Sequence, residues 1–123
     1  MLFKKIASSV LVGCVALSLS GCFGGFDKFE KAFLDCGSPD GVVVSDGGKT
    51  LSIDTKGEED YFGASYADMN CIMDGIATPQ FILDKVSATN SLMGRQNDEF
   101  DGIEVSWSYH PDSGASMTYH KRD

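Results

Sequence analysis

Histidine is scarce in this chain. His110 and His120 are the only two, and they form neither a His-x-His pair nor a His-Glu-x-x-His pattern. The sequence therefore offers none of the imidazole metal sites that those spacings build. Basic charge is also short: ten Lys and Arg stand against 18 Asp and Glu, a net charge of −8 at pH 7. Such a surface repels nucleic-acid phosphates and finds no attraction at an anionic membrane surface, so nucleic acid is not an expected partner. There is no low-complexity tract and no internal repeat beyond two similar hairpins. A second long apolar run is missing as well, so nothing downstream of the N-terminal run is long enough to cross a bilayer as a helix.

What is present begins with that run. Lys4 and Lys5 precede a nearly unbroken apolar stretch from Ile6 to Leu19, which closes on the small residues Ser20 and Gly21. A basic start, an apolar middle and a small-residue end make the layout of a secretory signal peptide. The stretch is shorter than the roughly 20 residues of a spanning helix, and it lacks the polar face of a buried core helix. Leu19-Ser20-Gly21-Cys22 resembles the lipobox of bacterial lipoprotein precursors. That resemblance covers the first 22 residues. It implies a diacylglyceryl thioether on Cys22, cleavage after Gly21 and attachment to a membrane through the lipid. Several acyl chains give durable anchoring where one is marginal. The expected organisation is a removed signal (1–21), a lipidated tether (22–25) and one small globular domain (26–123). Losing Lys4 and Lys5 takes the net charge from −8 to −10.

Cys14 leaves with the signal and Cys22 carries lipid, so Cys36 and Cys71 remain. An even pair in an exported protein points to a disulfide, with two free buried thiols as the alternative. A metal site is disfavoured, because neither cysteine has a Cys or His nearby at ligand spacing.

Phe26, Phe29 and Phe33 recur at helical spacing with Lys28, Glu30 and Lys31 outside, and Gly37-Ser38-Pro39 stops that helix. Residues 42–45 and 50–55 read as a hairpin around Gly47-Gly48 in a type I′ turn. Val44 then faces Leu51 and Val42 faces Ile53. Residues 56–63 read as a polar, acidic loop. Ser65 and Asp68 form a capping box before Met69, Ile72, Met73 and Ile76. Cys71 falls on the back of that stripe, so a disulfide requires the first helix or its exit loop to cross there. Thr78 is the expected N-cap of a third helix, with Pro79 in its first turn and Ile82, Val86 and Thr89 inward. Ile103, Val105, Trp107 and Tyr109 alternate with polar residues, a strand with one buried face. A turn at Asp112-Ser113-Gly114 would set Tyr109 opposite Met117 and Trp107 opposite Tyr119. The expected fold is α+β, a small antiparallel sheet from two hairpins with about three helices, in the order α-ββ-αα-ββ.

Candidate chemistry is thin. Gly48-Lys49-Thr50 imitates the end of a phosphate-binding loop, but Val43 stands where that motif needs Gly. Asn97-Asp98-Glu99-Phe100-Asp101-Gly102 gathers oxygen ligands, yet Ser108 occupies the position of the bidentate Glu in a calcium loop. It reads as a solvated acidic turn leading into the strand. His110 and His120 read as surface residues, and Glu58-Glu59-Asp60 as a solvated loop. Trp107, Tyr109, Met117 and Tyr119 are either a binding surface or the inner face of the sheet, and their alternation with Ser and Glu favours the inner face.

The segments 89–96 and Trp107-Ser108-Tyr109-His110-Pro111-Asp112-Ser113-Gly114 resemble the tail of small, uncharacterised exported proteins of actinobacteria. The resemblance covers the C-terminal third. It implies that Gly94-Arg95-Gln96 belongs to a shared fold and implies no activity, ligand or partner. The expected function is a non-enzymatic interaction or binding module of the cell envelope, without a cofactor. It would sit on the membrane through Cys22 and meet an envelope protein. The alternative is an extracytoplasmic hydrolase whose catalytic residues are dispersed in sequence. A pocket gathering His110 or His120 with carboxylates and Ser would mark the hydrolase. A small-ligand carrier would need an apolar cavity, for which so short a domain leaves little expected volume.

Overall fold

The computed structural model describes residues 27–122. The expected signal, Cys22 with its tether, and Phe26 lie outside the described residues. Three helices, α1 (Lys28–Asp35), α2 (Tyr66–Gly75) and α3 (Gln80–Ser87), pack on one face of an antiparallel sheet. Its strands are β1 (Val42–Ser45), β2 (Thr50–Asp54), β3 (Gln96–Phe100), β4 (Ile103–His110) and β5 (Gly114–Lys121), in the spatial order β1-β2-β5-β4-β3. The class is α+β. The order is α-ββ-αα-βββ, one strand more than two hairpins supply.

The first hairpin has the expected register, Val42 with Ile53 and Val44 with Leu51. Gly47 and Gly48 both take positive φ, 65° and 94°, and the Lys49 N–H donates to the Asp46 carbonyl at 3.2 Å. Leu51 and Ile53 are buried, while Val43 on the opposite face is exposed.

The last hairpin corrects the expected register by two residues: Trp107 faces Met117, Val105 faces Tyr119, and Tyr109 faces Ala115. Pro111 has no N–H to give the ladder, so β4 ends at His110 and the loop is Pro111-Asp112-Ser113, with Gly114 at φ 82°. A slip of two keeps parity, so every side chain stays on its expected face. Trp107, Met117 and Tyr119 are buried on the helix side.

The acidic turn is the second correction. Residues 96–100 are the edge strand β3, paired through Gln96 with Trp107 and Phe100 with Ile103, and only Asp101-Gly102 turns. Phe100 is buried, 6.3 Å from the Tyr119 ring centre. Lys85 of α3 reaches Asp98 at 2.6 Å, and its hydrogen bond holds that carboxyl below the usual carboxylate range. Carboxylates along β3 also discourage pairing with another sheet edge.

The Cys36–Cys71 disulfide is formed, with Cα atoms 6.0 Å apart. It answers the difficulty of Cys71 lying behind the α2 stripe, because α1 packs on that side. One helical turn from the bond, a Cβ on Gly75 would stand 3.0 Å from the Ala32 Cβ. Ala32-Cys36 on α1 thus meets Cys71-Gly75 on α2. The Ser65–Asp68 capping box is present in both directions. Thr78 is a third correction. Pro79 is the N-cap of α3, and the buried Thr78 hydroxyl shares a 2.8 Å hydrogen bond with the Tyr119 hydroxyl. A phenol at the centre of the core needs a partner more than a helix end does.

Strand direction gives the domain two ends. Asp27 pairs with Lys121, the Lys121 N–H donates to Lys49, and the Arg122 N–H donates to Gly102, so these groups share one end. The loop 56–63 and the Pro111-Asp112-Ser113 turn lie at the other. There the Glu58 N–H donates to the Pro111 carbonyl at 3.0 Å and the Glu59 N–H to Asp112 at 3.1 Å.

Candidate functional site

Helix α2 places Tyr66, Met69, Asn70 and Met73 at i, i+3, i+4 and i+7, one continuous stripe. Part of that stripe packs on the sheet and part faces Leu83, Asp84, Val86 and Ser87 of α3. Between the two helices lies a groove of about 470 Å³, floored by Trp107, Tyr109, Ala115 and Met117. This space is an open groove, not the internal cavity for which little volume was expected. It lies between the helices at the surface rather than inside the core, so the length of the domain does not limit it. Ligand sites of small-molecule size occupy roughly 300–1,000 Å³.

The groove is mainly apolar because most polar groups along it are already engaged. The Trp107 indole N–H donates to Thr89 Oγ1 at 2.8 Å, and Thr89 in turn donates to the Lys85 carbonyl at 2.7 Å. Ser87 donates to the Leu83 carbonyl at 3.0 Å. Gln80 donates to Asp84 Oδ1 at 2.9 Å. Asp84 is the one acidic residue of the lining, and no Lys, Arg or His joins it. Two methionine thioethers give the walls adjustable shape. The aromatic cluster is thus both inner face and groove floor: Trp107 is 3% exposed, yet it lines the groove.

The histidines stand apart from this groove and from each other. His110, at the far turn, accepts from the Asp112 N–H at 3.1 Å through Nδ1. His120 lies on the outer sheet face at the opposite end. The Thr50 hydroxyl donates to Asp46 at 2.7 Å, so His120 Nδ1, 2.9 Å from that hydroxyl, is the donor to it. His120 shares a shallow open trough with Ser106, Glu99 and Glu104. Arg122 holds both carboxylates, and among the described residues no hydroxyl is bonded to His120 Nε2. Glu58 and Glu59 are exposed at the far end.

Sequence reasoning noted Gly94-Arg95-Gln96 without a role. Gly94, at φ 70° and ψ −158°, takes a backbone conformation open to glycine. It directs Arg95 across the outer face, where the guanidinium donates to Ser106, Ser108, Ser116 and Thr118 at 3.0–3.4 Å. This side chain staples β4 to β5. The groove itself had no sequence signal beyond the α2 stripe.

No family model matches the chain, and no curated protein or solved structure matches it either.

Proposed function

We propose that this is a non-enzymatic binding module of the cell envelope, carried on the membrane by lipid on Cys22, with the α2–α3 groove as its binding site. The carrying observation is the groove: about 470 Å³, walled by Tyr66, Met69, Met73 and Leu83, with Trp107 and Tyr109 beneath. Apolar walls with a few polar groups describe a binding cleft. Catalysis needs a nucleophile and a base in mutual reach, whereas the Ser87 hydroxyl of the lining donates to the Leu83 and Asp84 carbonyls. The lipidated cysteine rests on the lipobox resemblance and on the basic, apolar, small-residue order of residues 4–22.

The test uses N-phenyl-1-naphthylamine, a neutral apolar dye, on the mature chain. One dye should bind per protein and quench Trp107, the only tryptophan, by energy transfer. Ser87→Tyr places a ring in the groove from an exposed helix position and should weaken binding by about tenfold. Equal binding by wild type and Ser87→Tyr, or no binding at all, would remove the groove from consideration.

A further inference from the structure

Tyr61 and Phe62 are 91% and 85% exposed, and the loop that carries them is fixed. The Lys56 N–H donates to the Ala64 carbonyl at 3.0 Å, and the Ala64 N–H to Asp54 at 2.9 Å. The Gly57 N–H donates to Asp60 Oδ2 at 3.1 Å. A Cβ on Gly57 would stand 2.2 Å from the Asp112 carbonyl oxygen, so the loop lies directly on the β4–β5 turn. Two neighbouring aromatics held in water on a loop with a pinned backbone are ready anchors, because little backbone freedom is lost when they bind.

Their surroundings select the partner. Glu58, Glu59, Asp60 and Asp112 are exposed around them, against the single cation Lys56. The loop is joined to the groove at both of its ends. Thr55, where the loop begins, bonds Ala115 of the groove floor, and Tyr66, four residues after Phe62 and 49% exposed, lines the groove. The groove adds one more carboxylate, Asp84. Tip and groove thus both combine apolar surface with negative charge.

We infer that tip and groove together dock a cationic, amphipathic polypeptide segment of another protein, Lys or Arg meeting the carboxylates and apolar side chains entering the groove. Arginine also stacks on exposed aromatic rings, which Tyr61 and Phe62 supply. A lipid surface fits poorly, because the carboxylates would face anionic headgroups. A second copy would set acidic tip against acidic tip. The inference rests on the groove reading and adds the chemistry of the occupant.

The probe is a 14-residue peptide of alternating Lys and Leu clusters, titrated into the mature chain and read by amide chemical shifts. Shifts should trace residues 58–62 and the groove. Affinity should fall by about tenfold in the Tyr61→Ser/Phe62→Ser double variant and by about fivefold in Glu58→Gln/Glu59→Gln. Asp60 is kept, since it holds Gly57. All four positions are exposed, so the fold is expected to stand, and unchanged dye binding by the variants would verify it. Equal binding of a Glu/Leu peptide, or tip variants that bind the Lys/Leu peptide like wild type, would overturn the inference while dye binding left the groove reading in place. Insertion of Tyr61 and Phe62 into phosphatidylglycerol vesicles, or a dimer lost on Tyr61→Ser/Phe62→Ser, would overturn it in favour of a lipid surface or a second copy.

Discussion

Trp107 belongs both to the core and to the floor of the proposed binding groove. Its ring is buried on the inner sheet face and its N–H is satisfied by Thr89. Trp107→Ala is expected to cost about 3–5 kcal/mol, a large part of the roughly 5–15 kcal/mol that holds a domain of this size. Denaturant midpoints check this, and wild-type fluorescence should be blue-shifted and poorly quenched by iodide. A small stability change with an easily quenched Trp107 would return the residue to the surface. Tyr119 tests the core from the titration side. Burial pushes its phenol well above the usual tyrosine range, only partly opposed by the Thr78 hydrogen bond. The folded state then keeps its proton while the unfolded state loses it above pH of about 10. Stability is complete below that pH and should fall as pH rises, by up to about 1.4 kcal/mol per unit. Tyr119→Phe should flatten that alkaline slope, measured by urea unfolding between pH 9 and 11. An unchanged slope in the variant would show that other groups cause it.

Among the elements, α1 depends most on a covalent link. It has only eight residues and no side-chain cap hydrogen bond at Asp27, and helices that short are marginal alone. The Cys36–Cys71 bond and the Ala32–Gly75 approach hold it to α2. Closing a loop with a sequence separation of 35 is worth roughly 3–4 kcal/mol on the chain-entropy argument. Cys36→Ser/Cys71→Ser should lose about that much. Intact mass should rise by two hydrogens on reduction of the wild type, and two free thiols in the unfolded, unreduced protein would contradict the bond. The elements also show what the sequence made legible. Alternation gave the faces of β2, β4 and β5, and the Gly47-Gly48 turn gave the first register, because both signals are local. β3 was hidden because Gln96, Asn97, Asp98 and Glu99 are poor strand formers. Pairing with β4 on one side is what makes them a strand. The last register shifted by two because the turn signal at Gly114 left two loop placements open and Pro111 decided between them. Thr78 read as a cap by local rules, and only the position of Tyr119 across the core explains its bond. The groove depends on how α2 and α3 sit over the sheet, which no spacing records.

For the whole molecule, the proposed anchor and the fold together set an orientation. The chain enters the described domain at Asp27, which pairs with Lys121 at the end of β5. Residues 22–26 would span at most about 18 Å, so this end must stay near the bilayer. From His120 to Gly114 the strand runs about 20 Å the other way, toward the loop with Tyr61 and Phe62. The acidic body gains nothing by lying on anionic lipid, so the tip should stand outward. Dyes on Ser45→Cys and Ser113→Cys, both exposed positions, mark the two ends. In vesicles carrying the lipidated chain, transfer to a headgroup acceptor should be clearly stronger from position 45 than from 113. Cys22→Ser should abolish both signals, because the protein would no longer associate with the vesicles. Equal transfer from the two positions would mean that the domain lies flat or tumbles freely. Retained association by Cys22→Ser would mean that something other than lipid on this cysteine holds the chain to the membrane.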